Sequence, residues 1–256
     1  MRIILAVAAA LVSAQADAAP AVGLRGDSTL VFFDTAAPSR ARTVEVSGFG
    51  RLAGLDLRPS NGALMAVAMD GAIIRIDPDT GAATRTGAII GPMPAGDGPV
   101  VVDFNPAADK LRLMRGTTNH RVDVDSGKLT VDGSLAFEEN DMHAIEAPNI
   151  VAAAYSAGYG RPDKTAMYDV DATIGALIRQ TKPNDGTLAA IGKFGIPAAQ
   201  TYAFDIATNA EGVDTAWLVA GDMLHTVDLE TGAATRMARL AGATARLRDI
   251  AILMDR

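Results

Sequence analysis

The chain contains no cysteine. That excludes disulfide staples, thiol nucleophiles, zinc–thiolate centres and a lipidated cysteine after the N-terminal segment. Stability has to come from packing, and a chain of this length buries a large core without staples. Histidine is scarce: His120, His143 and His225 are scattered along the chain, and each reads as a satisfied structural or surface side chain. Hydrolase and phosphate-binding signatures are missing. There is no Gly-x-Ser-x-Gly; in the nearest approach, Tyr155-Ser156-Ala157-Gly158, Ala154 stands where the first glycine would be. No His-Glu-x-x-His and no glycine-rich loop ending in lysine occurs. Basic excess is lacking too. Against 30 acidic residues stand 23 Lys and Arg, a net charge of -7, which argues against nucleic acid or an anionic membrane as a partner.

The longest apolar run lies at the start. Met1-Arg2, an unbroken apolar stretch over residues 3–12, and small-residue sites at Ser13-Ala14-Gln15-Ala16 and Ala16-Asp17-Ala18 read as a signal peptide spanning residues 1–18. The run is too short to span a bilayer, which takes roughly 20 apolar residues, and no later segment has that length. The expectation is a periplasmic or secreted protein whose mature part, 19–256, is one domain.

That part repeats. Ile76-Asp77-Pro78-Asp79-Thr80-Gly81, Val122-Asp123-Val124-Asp125-Ser126-Gly127 and Val227-Asp228-Leu229-Glu230-Thr231-Gly232 align without gaps, and weaker copies surround Asp34 and Asp171. The anchoring aspartates are 43, 46, 48 and 57 residues apart, the spacing of four-stranded propeller blades. Each copy predicts a hairpin in which Asp caps the turn and Gly supplies the positive φ. A calcium reading of these turns is weak, because glycine stands where a third acid would be needed.

A second motif precedes each hairpin: Leu55-Asp56-Leu57, Val102-Asp103-Phe104, Phe204-Asp205-Ile206 and Arg248-Asp249-Ile250. The fourth unit has Ala153-Ala154-Tyr155 instead. These segments read as the innermost strands. The first unit lacks one and the C-terminus ends on one, so strands from both ends share a blade and close the ring. The expected fold is an all-β propeller of five four-stranded blades. A sixth would need strands hidden in 91–98 and 138–149.

Asp103-Phe104-Asn105-Pro106, Leu111-Arg112-Leu113, Asn119, Arg121, Asp125-Ser126-Gly127 and Asp132-Gly133 resemble bacterial domain-of-unknown-function family 4394. So do the stretch from Asn149 to Tyr155 and Asn184-Asp185-Gly186-Thr187-Leu188. The resemblance implies an exported, propeller-like protein and brings no activity, substrate or catalytic residue.

Two groups are candidates for a site. If Asp56, Asp103, Asp205 and Asp249 all point into the channel, four carboxylates converge at one level and call for a cation, calcium being the candidate. The alternative is mechanical: each Asp bonds backbone amides of the next blade. Arg112, Arg115, Asn119 and Arg121 fall within ten residues and are the candidate anion patch, against solvated surface arginines. The Pro- and Gly-rich segment 91–99 fits a channel rim. Two functions follow: a binding or scaffold propeller that presents a small ligand or protein partner on its channel face, or a metal-dependent hydrolase of the propeller lactonase type.

Overall fold

The computed structural model describes residues 18–160 and 162–253; the segment expected to be a signal peptide, apart from Ala18, lies outside these. The hairpin repeats become five small antiparallel sheets. The first blade holds β1 (Pro20–Arg25), β2 (Thr29–Asp34) and β3 (Arg42–Glu45). The second is β4 (Leu52–Arg58), β5 (Ala63–Ala68), β6 (Ala72–Ile76) and β7 (Ala83–Ala88). The third is β8 (Val101–Asn105), β9 (Lys110–Arg115), β10 (Thr118–Val122) and β11 (Leu129–Val131). A two-residue strand, β12 (Ala136–Phe137), then adds in parallel to the outer edge of the fourth blade. That blade is β13 (Ile150–Tyr155), β14 (Met167–Asp171), β15 (Ala176–Lys182) and β16 (Thr187–Lys193). The fifth is β17 (Tyr202–Thr208), β18 (Asp214–Ala220), β19 (Met223–Val227) and β20 (Ala234–Arg239). The last strand, β21 (Leu247–Ile252), pairs antiparallel with β1 and becomes the inner strand of the first blade. The ring therefore closes as the sequence predicts, with five blades. Among the described residues, segments 91–98 and 138–149 contain no strand.

The core is divided into five apolar clusters, one per seam between blades. Trp217, Leu247 and Phe33 fill the seam between the fifth and first blades, Leu24, Leu55 and Ile74 the next, and Phe104, Leu113 and Val67 the one after. Met114, Ile178 and Leu188 fill the seam between the third and fourth blades, and Phe204, Leu218 and Leu177 the last. Sheet faces buried on both sides explain why these strands are almost continuously apolar.

The hairpin aspartates cap their turns. Asp77 Oδ1 accepts from the amides of Asp79 and Thr80 at 2.9 and 3.0 Å, and Asp123 and Asp228 do the same in their blades. Asp171 does so in the fourth. In three of these turns the glycine, Gly81, Gly127 or Gly232, has a second duty. Gly127 has φ 74°, and a Cβ there would sit 2.1 Å from the carbonyl oxygen of Ala88, at the end of the preceding blade's outer strand. The turn is thus pressed against its neighbour. Gly127→Ala is expected to cost about 2 kcal/mol or more, because positive φ and a backbone clash act together. Urea unfolding checks this: the midpoint should fall while the slope stays unchanged.

Candidate functional site

The inner strands β4, β8, β13, β17 and β21 run side by side around the channel. Their aspartates point across the seams. The amide of Phe104 donates to Asp56 Oδ2 at 2.7 Å, that of Tyr155 to Asp103 Oδ1 at 2.8 Å, and that of Ile252 to Asp205 Oδ2 at 2.6 Å. The amide of Leu55 donates to Asp249 Oδ2 at 2.8 Å. Four of five seams are thus tied by one carboxylate each, the mechanical arrangement among the two expected. The fifth seam, where Ala154 replaces Asp, is tied in the opposite direction. There the fourth blade's amides donate, Gly158 to Thr208 Oγ1 at 2.7 Å and Ala157 to Asp214 Oδ1 at 3.1 Å. Ala157 adopts φ 58° to present its amide, a conformation that costs a non-glycine residue about 1 kcal/mol or more.

The four carboxylates do not share one level. Oxygens of Asp56, Asp103 and Asp205 lie within 4.8 Å of one another. Asp249 stands apart, since its segment matches the other inner strands in letters and not in register. Asp56 bonds the amide that follows Asp103, whereas Asp205 bonds the amide that follows Ala251. Ala251 therefore occupies the ring position, and Asp249 lies two residues, about 6.6 Å, toward the start of the strand. Gly54 makes room for it: a Cβ there would lie 2.7 Å from Asp249 Oδ2.

Burial raises every one of these carboxyls. It holds Asp56 and Asp103 well above the usual range, with repulsion from neighbouring aspartates adding to the effect. It lifts Asp205 to about 6, while the amides of Ile252 and Ile206 pull the other way. It lifts Asp249 to about 7, opposed by the amide of Leu55 and the charge of Arg248. The cavity beside the three clustered aspartates is small, with about 40 Å³ free for the centres of water molecules, and Tyr155, Tyr159, Pro59 and Pro106 help to line it. That is room for an ion or a few waters.

Three members of the arginine group stay together and Arg115 leaves it. Arg112 is 1% exposed, with its guanidinium between blades. It donates to Tyr155 Oη at 2.9 and 3.1 Å, to Asn119 Oδ1 at 2.8 Å, to Asp132 Oδ2 at 2.7 Å and to Asn184 Oδ1 at 3.2 Å. Arg121, directly across the strand pair, binds the same Asp132 at 2.6 and 2.8 Å. Arg115 turns away to the carbonyls of Gly98 and Pro94, pinning segment 91–99. Of Arg112, Arg115, Asn119 and Arg121, the candidate anion patch, the fold keeps Arg112, Asn119 and Arg121 in one network, in which the two guanidiniums share the single carboxylate of Asp132 and one of their two charges is offset, while Arg115 holds a loop. Sequence reasoning missed Tyr155, Asp132 and Asn184 as partners of Arg112. It also missed Asp169, fully buried, raised to about 7 by that burial and bonded by Gln180 Nε2 at 2.9 Å. The histidines stay apart, in the third blade, the loop before the fourth, and the fifth. His120 and His225 are buried, and Nδ1 of each has no hydrogen-bond partner among the described residues.

The residues that carried the family resemblance meet at this seam. Asn119 Nδ2 donates to the carbonyls of Gly133 and Pro183 at 3.1 and 2.8 Å, docking the turn at Asp132-Gly133 on that at Asn184-Asp185-Gly186. The contact needs glycine: a Cβ on Gly133 would lie 2.2 Å from the Asp185 carbonyl oxygen. The model of the family described as domain of unknown function DUF4394 matches residues 29–251. The chain belongs to this family. No curated protein matches it. Among solved structures it is similar to a protein of unknown function from Bacteroides thetaiotaomicron VPI-5482, at 13% identity and TM-score 0.53, over 90% of this chain and 63% of that one. It also resembles an auxiliary nutrient binding protein of the same organism, at 15% identity and TM-score 0.46, covering 77% of this chain and 46% of the other. The chain thus spans less than two thirds of these proteins' length. At such identity the first likeness shows the fold alone.

The raised carboxyls set a pH dependence. A carboxyl whose pKa is higher folded than unfolded contributes stability that is complete below its unfolded value and is lost as pH rises through the folded one. For Asp249 that window runs from 3.8 to about 7. His120 and His225, lowered by burial, act in the opposite sense, contributing above 6.5 and losing that contribution as pH falls. Comparing Asp249→Asn with the parent isolates the carboxyl: the parent's stability should fall relative to the variant as pH rises across that window, measured by urea unfolding at several pH values.

Proposed function

We propose that this is an exported binding or scaffold protein, whose closed ring holds a ligand or partner on the channel face. The observation that carries this reading is that all four channel carboxylates already accept a neighbouring blade's amide. They stiffen the channel wall, and a stiff wall presents a preformed surface at low ordering cost. The signal-like segment at residues 1–18 supports export, to the periplasm or beyond. Among the described residues no helix is long and apolar enough to cross a membrane.

A second reading, a hydrolase of the lactonase type, draws on the convergence of Asp56, Asp103 and Asp205 within 4.8 Å. Three carboxylates and a few waters approach the oxygen count that calcium takes. Two features weigh against it. Both oxygens of Asp56 and of Asp205 already accept amides, and the cavity beside them has about 40 Å³, too little for an organic substrate next to an ion.

The two readings separate in thermal unfolding of the mature protein, with and without millimolar calcium after chelation. The binding-scaffold reading expects the melting temperature to move by no more than about 1 °C with calcium, and the Asp56→Asn/Asp103→Asn variant to melt lower in both conditions. A calcium-dependent rise of several degrees that the variant loses would overturn it in favour of a cation centre.

A further inference from the structure

The channel has a second mouth, where the inner strands begin, and it is built differently from the carboxylate end. Counting three residues back from each ring position gives Ala53, Val100, Val151, Tyr202 and Arg248, residues at matching places near the start of the inner strands. Three of them, Val151, Tyr202 and Arg248, line one cavity together with Pro99, Ala172 and Ala199. It holds about 250 Å³ for the centres of water-sized atoms, several times the space at the carboxylate end. Pro99, from the segment that Arg115 pins, forms part of its wall.

Arg248 is the one charged residue in that lining. Its guanidinium is held in place by neutral groups, donating to the carbonyls of Gly26 at 2.6 Å, Ala53 at 3.1 Å, Asp27 at 3.2 Å and Leu52 at 2.6 Å. Among the described residues no carboxylate lies within ion-pair distance of it. Asp249 and Asp27 exert a longer-range pull and Arg51 a push. Four carbonyls account for four of the five guanidinium N–H groups. A partly buried cation without an ion-pair partner, fixed in the wall of a mostly apolar cavity, suits an anion that carries a hydrocarbon body.

We propose that this mouth binds a small carboxylate-bearing amphiphile, its carboxylate toward Arg248 and its apolar body against Val151, Ala172, Ala199 and Tyr202. The assignment rests on the reading of the channel face as the binding surface and names the mouth and the ligand class. The buried aspartates reinforce it by disfavouring an anion at the opposite end.

The test uses hexanoate and benzoate as probes, with hexanamide and benzamide as uncharged counterparts, followed by calorimetry and by NMR of the Val151 methyls. The acids should bind saturably and shift the Val151 signals, and the amides should bind about tenfold more weakly or less. Arg248→Gln should remove that preference. Because Arg248 also ties four carbonyls, Val151→Trp is measured beside it; it fills the cavity, leaves those ties intact and should abolish binding. Equal binding of acid and amide overturns the proposal, as does the absence of saturable binding up to about 10 mM. Acid binding that survives Arg248→Gln and Val151→Trp but is lost in Pro106→Trp, at the other mouth, overturns this assignment and leaves the channel-face reading standing. Binding that survives changes at both mouths sinks the two together.

Discussion

One hydrogen bond, repeated, holds the ring: a buried inner-strand carboxylate accepting the amide of the next blade. Within a blade the backbone ladder satisfies itself, but across a seam the inner strands meet without a ladder. Left unpaired, such amides would each cost about 1–3 kcal/mol. The aspartates at 56, 103, 205 and 249 resolve this at four seams, and Thr208 with Asp214 does so at the fifth. The solution carries its own expense. Burial raises the pKa values of the three clustered carboxyls, and repulsion from neighbouring aspartates adds to this at Asp56 and Asp103, so part of what the amides contribute is given back as these groups ionise. Pairing of β21 with β1 then covers the edge of β1 and completes the first blade.

The seam between the third and fourth blades is stitched a second time. Arg112, Asp132, Asn119, Asn184 and Tyr155 make a buried network behind Asp103, whose carboxylate takes the amide of the same Tyr155. The residues by which the chain resembles its family concentrate here. The resemblance therefore marks a structural joint.

The architecture was legible because its signals are local. In three blades an Asp that caps a turn and a Gly at positive φ lie within five residues of each other, so three copies align, weaker ones at Asp34 and Asp171 fall at similar spacing, and the shared first blade follows. The site was less legible because register is not local. Arg248-Asp249-Ile250 matches the inner-strand motif in letters, yet the amide bonded by Asp205 places Ala251, not Asp249, on the ring. Arg112 looked like one of a surface cluster because its partners Tyr155 and Asn184 lie 43 and 72 residues away. Arg248 did leave a trace: Leu55, Val102 and Phe204 precede the other aspartates, and a charge in that place was the irregularity to follow.

The claim that carboxylate-to-amide bonds lock the seams is tested most directly by native-state hydrogen exchange at the amide of Phe104, compared between the parent protein and Asp56→Ala. If Asp56 holds the seam, this amide exchanges in the parent only with global unfolding. In the variant its protection should drop by about tenfold or more beyond the change in global stability, while amides inside the ladder of β5 and β6 follow global stability alone. Protection at Phe104 that merely tracks global stability in the variant would show that apolar packing, and not the carboxylate, closes the ring.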